Sequence, residues 1–344
     1  MKRMTRSTIS SVSLAFLLSS SLVGCDKPAD SEAKSDAKSA DSKDGKAGDA
    51  APTEKDAKEL FTSKVPELPG PLAKLTFGST TEDVKKAAPE LEDGYARSKE
   101  YKDVYFGYYV PDRGKKVLSS VRVTLDNEGA DLEKLLVAAW GEPKRGTELD
   151  KPKLYWFNPE KKIRATIHKG YGKENEVQFE PYLPAKDLLG EGKEKLGFET
   201  TPLLGATYDV LKKDYAQWLE TMTKEEAEKQ REQIEKMTGQ KLDILGDAVA
   251  STNIDLLPTE FGSSFTRVNP TMENGKIVRF RVGIDYDPFP AAKEEIFGLL
   301  KAKWGEPKEQ EKYGRKQFVF NAANPNVTVE DDDISKKWDI EVSQ

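Results

Sequence analysis

Apolar residues recur along this chain in two rhythms. Leu132, Leu135, Leu136, Ala139 and Trp140 fall at i, i+3, i+4, i+7 and i+8, the spacing that lays one apolar stripe along a helix. Val117, Ser119, Val121, Val123 and Leu125 alternate with residues such as Arg122 and Thr124, the period of a strand with one covered face. Val84, Ala87, Ala88 and Leu91 form another helical stripe behind Ser79-Thr80-Thr81-Glu82. That tetrapeptide predicts a capping box, in which the Ser79 hydroxyl accepts from a free backbone N–H and Glu82 reaches back to the cap. With strands at 104–110, 154–157, 163–168 and 177–179, the order is helix, two strands, helix, three strands.

The same order returns further on. Ile296, Leu299, Leu300 and Trp304 repeat the helical stripe, Phe280, Val282 and Ile284 repeat the inward face of a strand, and strands are expected near 318–320, 326–330 and 338–342. The pentapeptide WGEPK closes the helix at both 140–144 and 304–308. Its glycine takes the left-handed conformation that caps a helix, and its proline cannot continue one and pushes the preceding glutamate into an extended shape. The pentapeptide therefore stops a helix and launches a strand. Gly78 and Val84-Lys85-Lys86 match Gly205 and Leu211-Lys212-Lys213, Val121-Arg122-Val123 matches Phe280-Arg281-Val282, and Tyr155-Trp156-Phe157-Asn158 matches Phe318-Val319-Phe320-Asn321. The offset runs from 127 (Gly78 to Gly205) to 159 (Val121 to Phe280), 164 (Trp140 to Trp304) and 163 (Tyr155 to Phe318). This series predicts a tandem duplication, with a large insertion near 220–257 that reads as a charged, exposed helix and a small one near 285–290. The fold class expected is α+β, two tandem copies of a two-layer domain of helices on an antiparallel sheet. The copies are placed at 60–190 and 191–344.

What precedes residue 60 reads differently. Lys2, Arg3 and Arg6 form a positive n-region, followed at 9–23 by an apolar, serine-rich stretch too short for a stable membrane span, the pattern of a secretory signal. It ends in Leu22-Val23-Gly24-Cys25, which resembles the lipobox of bacterial lipoproteins, and Cys25 is the sole cysteine of the 344 residues. The resemblance implies cleavage after residue 24, acylation of Cys25 and an extracytoplasmic, lipid-anchored protein, with the choice of inner or outer membrane open. Residues 26–59 contain no Leu, Ile, Val, Met or aromatic residue, so they cannot bury enough apolar surface to offset ordering entropy, and a flexible tether is expected. Losing the three n-region cations leaves 51 basic against 60 acidic residues, a net charge of −9. Such a chain is a poor nucleic-acid ligand.

The Gly-x-Pro helix ends and the element order resemble tandem-repeat periplasmic domains such as the β-lactamase-inhibitor proteins and the small lipoprotein of the outer-membrane assembly machine. Those families place both helices before the strands. No functional residue carries over from them.

Candidate chemistry is sparse. His168, the only histidine, shares the outward phase of Arg164 and Thr166 and is expected on an exposed strand face, with no nucleophile placed beside it. There is no G-x-S-x-G, no phosphate loop and no histidine set for zinc. Asp285 with Asp287, and Glu330-Asp331-Asp332-Asp333, offer oxygens without calcium-loop spacing, so no metal or cofactor is expected. The outward sheet faces are the better candidates. Alternation assigns Arg122 and Trp156 to that face in the first copy, with Tyr105 or Tyr109 beside them, and Arg279 and Arg281 in the second. Arginine, tryptophan and tyrosine are the residues that most often dominate interfaces. The function expected is non-catalytic binding or scaffolding in the envelope, with an envelope protein or polymer as partner. The alternative is an envelope hydrolase with paired carboxylates.

Overall fold

A computed structural model describes residues 60–89, 95–96, 103–109, 116–125, 131–168, 176–215, 217–220, 228–229, 232–233, 235–237, 239, 252–312, 314–320 and 325–344. Cys25 with its lipobox, the 26–59 segment, Leu91, Asn321 and most of the 220–257 insertion lie outside them. Helical residues within 228–237 are all that is described of the inserted helix. No helix among the described residues is long and apolar enough to cross a membrane.

The described residues, from Leu60 on, fall within one compact unit. Its first half runs α1 (Thr81–Ala87), β1 (Tyr95–Ala96), β2 (Asp103–Tyr109), β3 (Val117–Thr124), α2 (Leu132–Trp140), β4 (Lys144–Glu148), β5 (Lys151–Asn158), β6 (Ile163–His168) and β7 (Glu176–Pro181). The second half runs α3 (Ala185–Leu189), α4 (Tyr208–Asp214), β8 (Trp218–Glu220), β9 (Thr252–Leu256), β10 (Thr266–Glu273), β11 (Lys276–Asp285), α5 (Ala292–Trp304), β12 (Lys308–Lys312), β13 (Arg315–Phe320), β14 (Asn326–Asp332) and β15 (Lys337–Ser343). Sheet one is ordered β1-β2-β3-β7-β6-β5-β4, and sheet two β8-β9-β10-β11-β15-β14-β13-β12. All pairings are antiparallel. Reading the orders side by side, the second sheet is the first with β8 added at one edge, so the fold is α+β in two tandem copies.

The duplication extends to single hydrogen bonds. Gly78 (φ +86°) donates to the Leu118 carbonyl at 2.8 Å, and Gly205 (φ +83°) donates to the Ile277 carbonyl at 2.8 Å. Leu118 answers to Ser79, and Ile277 to Ala206. Positive φ makes glycine the low-strain residue at both places. The WGEPK glycines behave alike: Gly141 (φ +80°) and Gly305 (φ +93°) cap α2 and α5, donating to Val137 at 2.9 Å and to Lys301 at 2.7 Å.

Each sheet buries one face under its own helices. The first core gathers Val84, Val121, Val123, Leu136, Trp156 and Phe179, and the second Leu211, Phe280, Val282, Ile296, Trp304 and Ile340. Ala185, Leu188 and Leu189 belong to the second core, so that core begins before the boundary expected at 190/191.

Local details depart from the expectations. Thr80, one residue later than expected, caps α1: its hydroxyl oxygen accepts from the Asp83 N–H at 3.2 Å and its O–H donates to the Asp83 carboxylate at 2.8 Å. Ser79 lies one residue before the cap and gives its backbone carbonyl to the Leu118 N–H at 2.8 Å. On β3 the alternation slips, because Gly107 pairs with Ser120 and Tyr108 with Leu118, leaving Ser119 as a bulge. Leu118 is therefore buried where Ser119 was expected inside. Each WGEPK launches an additional edge strand, β4 or β12, which escaped the three-strand reading because its exposed sequence has no apolar alternation.

Candidate functional site

Strand register also decides which side chains face outward. Lys144 pairs with Tyr155 on β4–β5, and Lys308 pairs with Val319 on β12–β13. Tyr155 therefore corresponds to Val319, and Trp156 to Phe320, one step away from the match at offset 163. A one-residue slip turns every side chain to the other face, and Trp156 is accordingly not on the outward surface. It is 3% exposed in the first core, donates its indole N–H to the Gly141 carbonyl at 2.8 Å, and meets Trp140 edge-on at 5.9 Å.

Tyr155 and Phe157 take the outward side instead, and there the second repeat covers them. Phe289, at the small insertion, meets Tyr155 edge-on at 4.8 Å, and the Pro288 carbonyl accepts from the Thr147 N–H at 3.1 Å. Gly146 permits this approach: a Cβ there would lie 2.6 Å from the Pro288 oxygen and 2.7 Å from the Phe289 ring. Arg164, 1% exposed, bonds to Glu180 and reaches the carbonyls of Thr259, Gly262 and Ser263 in the segment before β10. Tyr109 donates to Asp255 at 3.2 Å and stacks on Phe265 at 4.7 Å.

The outward phase expected for Arg164, Thr166 and His168 thus holds, but exposure does not. His168 is half-buried beside Glu148 at 3.3 Å, and burial, aided by the Lys153 charge, lowers its pKa. Arg122 remains on the outward side near the junction, 3.0 Å from Glu176 and with its guanidinium 5.5 Å from the Tyr105 ring centroid. Arg122 and Trp156 do not form one surface cluster.

Among the described residues nothing covers the outer face of sheet two as the second repeat covers sheet one. A cavity of about 440 Å³ lined by Phe265, Arg267, Arg281, Asp285, Lys337 and Asp339 shares Arg281 and Asp339 with one of about 180 Å³ that includes Arg279, Gln310, Gln317, Glu330 and Glu341. The two make one polar trough, which brings Arg279 and Arg281 together as expected. Arg281 pairs with Glu341 at 2.6 Å, Arg279 donates to Thr271 at 3.3 Å, and Arg267 pairs with Asp255 at 2.8 Å.

The trough differs chemically from the covered face. Tyr105 and Asn269 are equivalent, each facing the arginine pair Arg122 or Arg281, and Tyr155 is replaced by Val319. Glu176 gives way to Asp339, and its neighbour Thr124 to Gly283. Burial pushes Asp285 up to about 6 and raises Asp339, with the Lys337 charge opposing both. Asp339 and Lys337 went unnoticed in the sequence, although Lys337, Asp339 and Glu341 alternate with Trp338, Ile340 and Val342. That alternation was the available signal.

The acidic run at 330–333 is internally engaged. Lys293 binds Asp331 and Asp333, Tyr286 donates to Asp331 at 2.7 Å, and the Asp332 carboxylate accepts from the Ile334 and Ser335 N–H groups at 3.2 Å. Among the described residues no group of three or more His, Cys, Asp or Glu side chains is placed to hold a metal. A separate, largely apolar cleft of about 590 Å³ lies among Leu75, Phe77, Ile163, Tyr182 and Leu257 and contains none of the expected residues.

No protein-family model and no curated protein matches the chain. A solved structure of a DUF4309 family protein, YjgB, from Bacillus subtilis is similar over 37% of this chain and 96% of its own, at 17% identity and a TM-score of 0.28. A likeness of that size carries no inference about role.

Proposed function

We propose that the chain is a lipid-anchored extracytoplasmic protein of the bacterial envelope, acylated at Cys25 and tethered through residues 26–59, with a non-catalytic binding or scaffolding role. The observation that supports a docking role is the asymmetry of the two outer faces. One is covered by the neighbouring repeat, while the other leaves Arg279 and Arg281 in an open trough. Two or three acyl chains provide stable anchoring where one is marginal.

The anchor is tested by Cys25→Ser, which releases the protein from the membrane fraction or leaves an uncleaved precursor; maturation and fractionation like wild type would refute it. The docking face is tested with a photo-crosslinking side chain at Arg279 or Thr328, against Glu294 on α5 as control. Envelope cross-links are expected at the first two positions, and an identical pattern at the third counts against the face.

A second reading, hydrolysis of an envelope polymer, is favoured by one observation: Asp285 and Asp339, both raised by burial, line the same cavity. Paired carboxyls of that kind serve as acid and base in glycoside hydrolysis. Release of fragments from isolated cell wall by wild type, but not by Asp285→Asn or Asp339→Asn, would establish it.

A further inference from the structure

We propose that the trough on the second sheet is a saccharide seat, which takes a neutral polyhydroxylated chain across Gly283, between Asp285, Lys337 and Asp339, with a sugar ring against Phe265. This rests on the reading of that face as the docking surface and names its ligand class.

Charge balance is the first argument. Arg267, Arg279, Arg281, Lys312 and Lys337 face Asp285, Glu330, Asp339 and Glu341 in the same trough. Neither a polyanion nor a polycation meets a complementary field there, and each would bring like charges together. A neutral ligand avoids that cost. The planar carboxylates, amides and guanidiniums present paired acceptors and donors, the pattern that matches neighbouring hydroxyls on a sugar ring.

Unmet bonding capacity is the second. Arg267 and Arg281 already have carboxylate partners, whereas no side-chain hydrogen bond or ion pair joins Asp285, Lys337, Asp339 or Asn269 to another described residue. Asp285 and Asp339 are part-buried in the trough. Part-buried polar groups without a hydrogen-bonding side chain beside them leave acceptors and donors for a ligand to engage.

Shape is the third. A glycine inside a strand weakens it and often marks a place where something approaches the backbone closely. Gly283 lies opposite Asp339 and keeps the floor low enough for the Lys337 stem to lie along it, 3.2 Å from where a Cβ would stand, so a larger residue would push that lysine up into the trough. At the end of the trough Phe265 is 38% exposed and stacks on Tyr109. Its ring gives the apolar face of a pyranose a surface to stack on.

The test uses the full-length chain purified in detergent and titrated calorimetrically with the soluble β-1,4-linked hexamer of N-acetylglucosamine, with polyglutamate and polylysine as charged controls. The saccharide is expected to bind better than either polymer. Asp339→Asn and Phe265→Ala should each weaken it about tenfold, with the urea midpoint serving to show that the variant is folded. Gly283→Val should remove binding. Absence of saccharide binding, tighter binding of a charged polymer, or affinities unchanged in folded variants would overturn the proposal. Cross-links from Arg279 to an envelope protein without saccharide binding would overturn the ligand class alone, and loss of both would remove the docking face as well.

Discussion

Arg164 and Glu180 meet across β6 and β7, with one carboxylate oxygen 3.1 Å from Nε and 2.9 Å from Nη2 of the guanidinium. The remaining donors point into the second repeat, at the carbonyls of Thr259, Gly262 and Ser263. A buried charge is tolerated when its partners saturate it, and removing one member strands the rest. Arg164→Ala is therefore expected to cost about 3–5 kcal/mol of unfolding free energy in urea melts. Arg122→Ala, whose pair with Glu176 is partly open to solvent, should cost at most about 1 kcal/mol. Equal effects of the two would mean that Arg164 does not join the repeats.

The buried position of Trp156 makes a large stability effect the expected outcome of its truncation. Trp156→Ala should lose about 3–5 kcal/mol through the cavity it leaves against Trp140. Trp156→Phe should lose about 1–2 kcal/mol, since the Gly141 carbonyl then lacks its donor. A change within about 0.5 kcal/mol for the alanine variant, the usual result at an open surface, would put the indole outside the core.

Gly146 and Phe289 report on the same junction. Gly146→Val places a side chain where the Pro288 oxygen and Phe289 ring already stand, and Phe289→Ala removes the ring that covers Tyr155. Each should destabilise the chain. Because both act on one contact, the double variant should fall short of additivity by about 0.5 kcal/mol or more. Strict additivity in urea melts would separate the two sites.

Asp285 sets a pH dependence. Its folded pKa near 6 exceeds its ordinary value of 3.8, so between these pH values the native chain holds a proton that the unfolded chain has released. Stability accordingly falls as pH rises through that window, and the full penalty is present above about pH 6. Asp285→Asn should gain on the order of 1–3 kcal/mol at pH 7. The gain should shrink to nothing below about pH 4, as followed by melts across that range. A gain independent of pH would mean that the carboxylate is not desolvated in the fold.

Much of the architecture was legible along the chain, because the relevant interactions are local. A helix stripe, a cap and a positive-φ glycine are each decided within a few residues, and this is why Gly78 with Gly205 and Gly141 with Gly305 announced a duplication that recurs in φ and in hydrogen bonds. Alternation likewise set the outward phase of Arg164, Thr166, Arg279 and Arg281. It failed at Trp156 and Ser119, where a one-residue difference between copies or a bulge reverses the face without disturbing composition.

What covers an outward face lies beyond any local pattern. Tyr155, Arg164 and Thr166 are polar or amphipathic residues on the solvent phase of their strands, yet they are buried because Phe289 and the segment around Gly262 reach them from more than ninety residues away. Asp285 and Asp339 stand far apart in sequence, and only the antiparallel pairing of β11 with β15 brings them to one cavity beside Gly283. Helix caps and the duplication were determined by the sequence itself, since short-range sterics and hydrogen bonds suffice for them. The closed face and the open trough were decided by the docking of one repeat on the other, which depends on shape and burial that exist only once both sheets have formed.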